Sequence, residues 1–345
     1  MKIVAVGDAY ITPEMMRSAV ERVPEMNLDA TYLFFGEEDR EQMRDTVRQI
    51  EHGAYERLPL PDGYLDAVKD AEILMIHLCP VTRQVLEAAP NLKYILLNRG
   101  GIENVDINAA TERGIMVLHN PAHNANAVAE YTVGLILCET RNIARADASL
   151  KRGDWREEYP NTSTNIRELH DMTVGIIGFG SVGRLLLERL ESFRCKVLIY
   201  DPYLEVSAFD ILNAEFVTLP ELLKQADVIT LHARASSPIL TRNEFAMMKP
   251  TSYLINTARA CLVNTRDLAD ALKEHRIMGA AIDVFDTEPE IPDLFYGLDN
   301  VTITNHRGGD TIESYSDSPE MMLRNLLTHF NGRRPMFWVN KPKRA

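Results

Sequence analysis

The chain has 345 residues, 46% hydrophobic and 25% charged, a make-up that fits a soluble globular protein and a length that exceeds one ordinary hydrophobic core. Its formal net charge of −13 speaks against nucleic acid or an anionic membrane as the main partner. No window supplies the ~18 uninterrupted apolar residues of a membrane span, and the opening "MKIVAVGDAY" reads as strand and turn, not signal peptide. Cys79, Cys138, Cys195 and Cys261 form no CxxC pair, so reduced, mostly buried thiols in a cytoplasmic protein are expected.

In chain order, apolar runs at 2–6, 31–36, 73–78, 94–101 and 115–120 read as strands. Between them "PEMMRSAVERV", "EEDREQMRDTVRQIEH" and "INAATERG" carry helical spacing. Strands apolar throughout and alternating with helices predict a parallel sheet covered on both faces. After Pro121 one long helical pattern runs from "NANAVAEY" to "SLKRG", followed by a polar loop, "DWREEYPNTSTNIRELHD". Alternation restarts at Thr173 with six strand-like runs, "TVGIIG", "KVLIY", "VITLH", "SYLIN", "GAAIDV" and "VTITN", enough for a second doubly wound sheet. The amphipathic "SPEMMLRNLLTHFNGRR" has no further strand to serve and is expected to return to the first sheet; the basic end "GRRPMFWVNKPKRA" reads as a solvated or interface tail. The fold class is therefore α/β with two doubly wound parallel-sheet domains. A Rossmann-type domain at 120–306 is inserted into a flavodoxin-like domain made of 1–119 and 307–345. The chain would cross between them near 120 and 306, and clefts of that kind take ligands.

"TVGIIGFGSVGRLLLERL" places Gly178, Gly180 and Gly183 in G-x-G-x-x-G spacing after an apolar strand and at the opening of a helix. The first glycine permits the tight turn, the second lets backbone approach a pyrophosphate, and the third lets helix pack on strand. The helix N-terminus then offers free N–H groups to the phosphates. The next strand ends in Asp201, 18 residues after Gly183, close to the ~20 expected of a ribose-binding acid. A carboxylate there repels a 2′-phosphate and no arginine follows, so the cofactor expected is NAD, not NADP.

Arg259, Asp283 and His306 follow successive strands of the second sheet, and Glu288 lies five residues beyond Asp283. Strand carboxyl ends face one crevice, so these side chains can converge where a nicotinamide would lie. Hydride exchange with a carbon–oxygen bond needs a proton donor and a substrate clamp. An imidazole with a reference pKa of ~6.5 suits the first role, and a neighbouring Glu orients it. A guanidinium fork suits a carboxylate. Each residue alone would read as structural; together beyond a dinucleotide fingerprint they read as a site. His119 and His123 are separated by Pro121, and no metal site is expected.

The order of the glycine motif, Asp201, "INTAR", "DVFDTEP" and "NHRGGDT", continued by "ENVDINAATERGIMVLHNPAHNANAVAEYTVGLIL", resembles the D-isomer-specific 2-hydroxyacid dehydrogenases over about residues 70–330. The resemblance implies NAD-dependent interconversion of a 2-keto acid and a D-2-hydroxy acid. It assigns Arg259 to the substrate carboxylate and carbonyl oxygen, Glu288 as acid partner and His306 as proton donor. It assigns backbone amides at Gly100 and Gly101 to the substrate carboxylate, and Asn124 to a place beside substrate and nicotinamide. Phe179, Ser181, Val182, Thr257, Ala258, Arg259 and Asp283 would complete the NAD site. A homodimer joined through the cofactor domain is implied, including the helix after Pro121.

The chain departs from the family's pattern at Asn305, where Pro usually precedes the histidine, and at Ala260, Val263–Asn264, Arg307 and Arg234. Arg307 raises the hypothesis of a second anionic group on the substrate. Two rivals share the fold: a formate dehydrogenase-like enzyme, against which Glu288 argues because that relative carries glutamine there, and an NADH-sensing corepressor-like scaffold, which would not turn over.

Overall fold

A computed structural model of the chain describes residues 1–159, 161, 166–204 and 214–341. Parts of the polar loop at 154–171 and the last four residues of the basic end lie outside the described residues. Two compact units are present, residues 1–124 with 311–345, and residues 125–310.

The first unit contains β1 (Lys2–Gly7), α1 (Pro13–Glu21), β2 (Asp29–Phe34), α2 (Arg40–Glu51), α3 (Tyr64–Ala67), β3 (Ile73–Ile76), α4 (Arg83–Ala88), β4 (Tyr94–Leu97), α5 (Ile107–Glu112) and β5 (Met116–His119). All five strands are parallel, in the order β2-β1-β3-β4-β5. Period-2 alternation deals their side chains to two covered faces. Ile3, Ala5, Ile73, Met75, Leu96 and Leu118 join one core, and Val4, Val6, Leu74, Ile76, Ile95, Leu97 and Val117 the other. The edge at β5 is capped by the chain's end: Val339 N–H donates to Val117 O (2.9 Å) and His119 N–H to Phe337 O (3.2 Å). Such cover removes an open template for strand addition.

The second unit runs α6 (Ala125–Thr140), α7 (Ile143–Lys151), β6 (Thr173–Ile177), α8 (Ser181–Glu191), β7 (Lys196–Tyr200), β8 (Ala214–Phe216), α9 (Leu219–Gln225), β9 (Val228–Leu231), α10 (Arg242–Met247), β10 (Tyr253–Asn256), α11 (Thr265–Lys273), β11 (Gly279–Ile282) and β12 (Val301–Ile303). Its seven parallel strands are ordered β12-β11-β10-β9-β6-β7-β8. One face is covered by α9, α10 and α11 through Leu222, Phe245, Leu268 and Leu272, the other by α6 and α8 through Leu135, Ile136, Leu186 and Leu190. The chain then re-enters the first unit with α12 (Ile312–Ser316) and α13 (Ser318–Phe330), whose Met322, Leu323 and Leu326 pack into the core around Ile3 and Ile73.

Three sequence expectations need correction. The long helical pattern after Pro121 is two helices, broken where Asn142 adopts φ +57°, a left-handed conformation that asparagine tolerates. Its buried amide is held by Asn161 Oδ1 (2.7 Å) and by Arg145, whose Nη1 donates to Asn142 Oδ1 (3.3 Å). A seventh strand, β8, escaped notice because "AEF" is short and only partly buried at the sheet edge. The units divide at 124/125 and 310/311, not at 119/120 and 306/307. Residues 120–123 are tied to the first unit, with Asn120 Nδ2 donating to Ser318 Oγ (2.9 Å) and His123 Nδ1 to Ser314 O (3.0 Å). Arg307 and Gly308 are tied to Asp283 in the second unit.

Candidate active site

The glycine turn separates the three roles physically. Gly178 has φ +93°, and a Cβ there would come within 2.5 Å of Ala233 N. At Gly183 a Cβ would collide with the Gly178 carbonyl oxygen. At Gly180, which caps α8, a Cβ would meet nothing within 4 Å. The protein's own packing therefore requires glycine at 178 and 183 but leaves open space at 180, where a pyrophosphate needs the backbone bare. Asp201, directly after β7, accepts from Phe179 N–H (2.9 Å) and from Tyr203 N–H (2.9 Å). The predicted ribose acid thus also fixes the glycine turn. Phe179 is buried, and Ser181 and Val182 form the first turn of α8. These residues fit a dinucleotide.

At the end of β10 the turn is organised by Asn256, which is buried. Its Oδ1 accepts from Ala258 N–H (3.1 Å) and its Nδ2 donates to Arg259 O (2.9 Å). Thr257 Oγ1 meets Thr132 Oγ1 at 2.9 Å, fastening the turn to α6. Arg259 leaves this turn exposed, with Nη1 donating to Ala258 O (2.6 Å) and the rest of its fork clear of ion pairs among the described residues.

Asp283, buried after β11, is a fastening point of a different kind. It accepts from Thr304 Oγ1 (2.6 Å), Arg307 N–H (3.0 Å) and Gly308 N–H (2.9 Å), while its carbonyl accepts from His306 N–H (2.9 Å). Those four bonds hold His306 at φ +54°, a left-handed backbone that a non-glycine residue adopts at a cost of about 1–2 kcal/mol. The imidazole is thereby turned so that Nδ1 lies 2.8 Å from Glu288 Oε2, and Glu288 Oε1 accepts from Phe285 N–H (2.8 Å). One carboxylate oxygen anchors the loop and the other orients the ring, leaving Nε2 for a reacting oxygen. Because β10, β11 and β12 are neighbours, Arg259, Asp283 and His306 leave adjacent strand ends.

Gly100, Gly101 and Asn124 belong to the first unit. Gly100 O accepts from His119 Nδ1 (2.8 Å), and a side chain at Gly101 would run into Glu103 and Arg99. Arg307 pairs with Asp310, which occupies the guanidinium that the sequence connected with a second anion. Arg234 is exposed. Of the thiols, Cys79 and Cys195 are buried, Cys138 half-buried and Cys261 exposed, all free. Among the described residues no group of three or more His, Cys, Asp or Glu could hold a metal ion, and no helix is long and apolar enough to cross a membrane. The sequence reading passed over Asn256, and over the buried pair of Asp8 and His77, which are 2.9 Å apart. The only signal for either was a polar residue at the end of an otherwise apolar run.

Residues 133–308 match the family model described as D-isomer specific 2-hydroxyacid dehydrogenase, NAD binding domain. A D-3-phosphoglycerate dehydrogenase of Methanocaldococcus jannaschii is 37% identical over 284 residues, 81% of this chain; the chain spans about half (53%) of that relative's length. A glyoxylate reductase of Thermofilum pendens is 35% identical over 305 residues, 87% of this chain and 90% of the relative. Among solved structures, the NAD-complexed form of a D-isomer specific 2-hydroxyacid dehydrogenase from Lactobacillus delbrueckii ssp. bulgaricus shares the fold. Its TM-score is 0.76 at 22% identity, over 99% of this chain and 100% of that one.

Proposed function

The chain belongs to the D-isomer-specific 2-hydroxyacid dehydrogenases, and we propose that it interconverts a small 2-keto acid and the corresponding D-2-hydroxy acid. NAD is the cofactor, and when bound it supplies or accepts the hydride. The remaining work falls to the chain's own side chains. Arg259 grips the substrate carboxylate and polarises the carbonyl oxygen, with backbone amides of Gly100 and Gly101 as further carboxylate donors and Asn124 beside them. His306 gives its Nε2 proton to that oxygen in reduction and takes it back in oxidation. Glu288 meets the ring at Nδ1 and keeps its plane fixed, so that Nε2 is the nitrogen that faces the substrate. Asp283 and Thr257–Arg259 complete the cofactor side.

The observation that supports this reading most strongly is the 2.8 Å contact of His306 Nδ1 with Glu288, made by a histidine held in a left-handed backbone. A formate dehydrogenase-like reaction has no proton to manage and no use for that pair. A homodimer through the second unit is supported by Ile143, Leu150 and Trp155, large apolar side chains 55%, 52% and 77% exposed there. Cytoplasmic residence is part of the same proposal, supported by the free thiols.

The test is a panel of 2-keto acids with NADH, followed by absorbance of the reduced cofactor. Turnover of at least one acid is expected. His306→Ala should lower kcat by about 100-fold or more, and Glu288→Gln by less, with NADH affinity unchanged in both. NADH binding without turnover of any acid, or a His306→Ala enzyme as fast as the parent, would overturn the reading in favour of a scaffold.

A further inference from the structure

On α6, Ala129, Thr132 and Ile136 recur at three- and four-residue spacing and are all buried, so they form one stripe of the helix. Ala129 and Ile136 share a core with Tyr253 and Ile255 of β10. Alternation along the strand puts Thr257, two residues past Ile255, in the same row on the same face of the sheet. At its end this seam changes from apolar contact to hydroxyl contact, with Thr132 Oγ1 2.9 Å from Thr257 Oγ1. A threonine inside a helix commonly turns its hydroxyl to the carbonyl one turn back, and Thr132 does so, reaching Val128 O at 2.7 Å. What sets it apart is the second bond, made to the turn that carries Arg259.

Counting protons fixes the direction of that bond. Thr132 has one hydroxyl proton, and Val128 O can only accept it. The proton between the two hydroxyls is therefore that of Thr257, donated to Thr132 Oγ1. Both threonines are buried, where a donor deprived of its acceptor is costly. The turn is gripped from its other side by Asn256, whose Oδ1 accepts from Ala258 N–H (3.1 Å) and whose Nδ2 donates to Arg259 O (2.9 Å). Side chains at 256 and 257 leave the strand on opposite faces, so the two grips act from both sides of the sheet. Between them lies the Ala258 carbonyl, which accepts from Arg259 Nη1 (2.6 Å). The guanidinium is thus set by a peptide tethered to its own strand and to α6. His306 and Glu288 are held elsewhere, by Asp283 O and Phe285 N–H.

We propose that Thr132 is a positioning residue for the reaction. Through the hydroxyl of Thr257 it holds the 256–259 turn, and with it the Arg259 fork, in the placement that receives the substrate carboxylate. The inference rests on the proposed reaction and adds to it a buried residue of α6 that acts through another side chain.

The experiment measures KM and kcat for the best 2-keto acid of the panel, with NADH and the full chain, in the parent, Thr132→Val and Thr132→Ser. Valine keeps the shape and loses the acceptor, whereas serine keeps the hydroxyl. Thr132→Val should raise KM for the acid about tenfold and lower kcat by about threefold at most, with the pH profile of kcat and the affinity for NADH as in the parent. Thr132→Ser should stay within about threefold of the parent in KM. Thr257→Val should also raise KM, and the double variant should be no worse than Thr257→Val alone, because both changes remove one bond. A readout without turnover uses oxamate, a small 2-keto acid isostere whose amide is not reduced. Oxamate should raise the thermal midpoint of the NADH complex in the parent and in Thr132→Ser, but not in Thr132→Val or Arg259→Met. A parental KM in Thr132→Val, an equal loss in Thr132→Ser, or additive losses in the double variant overturns this inference and leaves the proposed reaction standing. In a parent that reduces no 2-keto acid the reaction falls and the oxamate arm decides. Stabilisation that needs both Arg259 and the Thr132 hydroxyl then supports the positioning role, and its absence overturns that role too.

Discussion

His306 and His232 stand at opposite ends of what a histidine can do in this fold. His306 is exposed, oriented by Glu288 and free at Nε2, as a proton carrier must be. His232, after β9, has Nε2 against Thr230 Oγ1 (2.9 Å), while its Nδ1 is closed to solvent and unpartnered among the described residues. Burial pushes its pKa down to about 3. Above the unfolded value of ~6.5 both states are neutral at this site and it contributes nothing to pH dependence. Below ~6.5 the unfolded chain takes up a proton that native His232 refuses, so stability falls by up to about 1.4 kcal/mol per pH unit until pH approaches about 3. Urea unfolding of the parent and of His232→Gln between pH 7 and 4 measures this; the variant should show the shallower decline. At this scale the glycine triad, Asp201, Arg259, Glu288 and His306 were exposed as candidates by motif spacing. Asn256, Thr132 and the Asp8–His77 pair were not. Asp8 and His77 are 69 residues apart, and each alone looks like the polar end of a strand.

Among elements, the β6–α8 turn gives the three motif glycines, whose roles their positions already distinguish, a physical test: of the three, Gly180 alone is free of the protein's own atoms among the described residues. Gly180→Ala should leave the thermal midpoint within a degree or two and weaken NADH binding about tenfold or more, read by quenching of protein fluorescence. Gly183→Ala should lower the midpoint by several degrees, because its methyl group meets the Gly178 backbone. Equal effects at both positions would mean that the open space at Gly180 carries no ligand. Strand positions were largely readable, since a parallel strand buried on both faces is a continuous apolar run. The interruption between α6 and α7 was not: its sequence is helical throughout, and the break is held by the contacts of Asn142 with Asn161 and Arg145.

For the whole molecule, charge and surface make competing demands. A net charge of −13 favours solubility and mutual repulsion, yet Trp155, Ile143 and Leu150 remain exposed around α7. Association through this patch is the proposed resolution. Trp155→Glu together with Ile143→Glu should convert a dimer to a monomer in light scattering at micromolar concentration; a parent that is already monomeric removes the proposal.

Strand and helix alternation, the dinucleotide turn and the choice of candidate reacting side chains came from the sequence alone, because each depends on residues a few positions apart. Strand order decided the rest. It set Arg259, Asp283 and His306 on neighbouring strand ends, aimed His306 at Glu288 through a left-handed backbone that no local preference would choose, and brought Asp8 to His77 across the reversal of the first sheet. Those pairings rest on bonds between distant segments, which form only once the sheets have assembled.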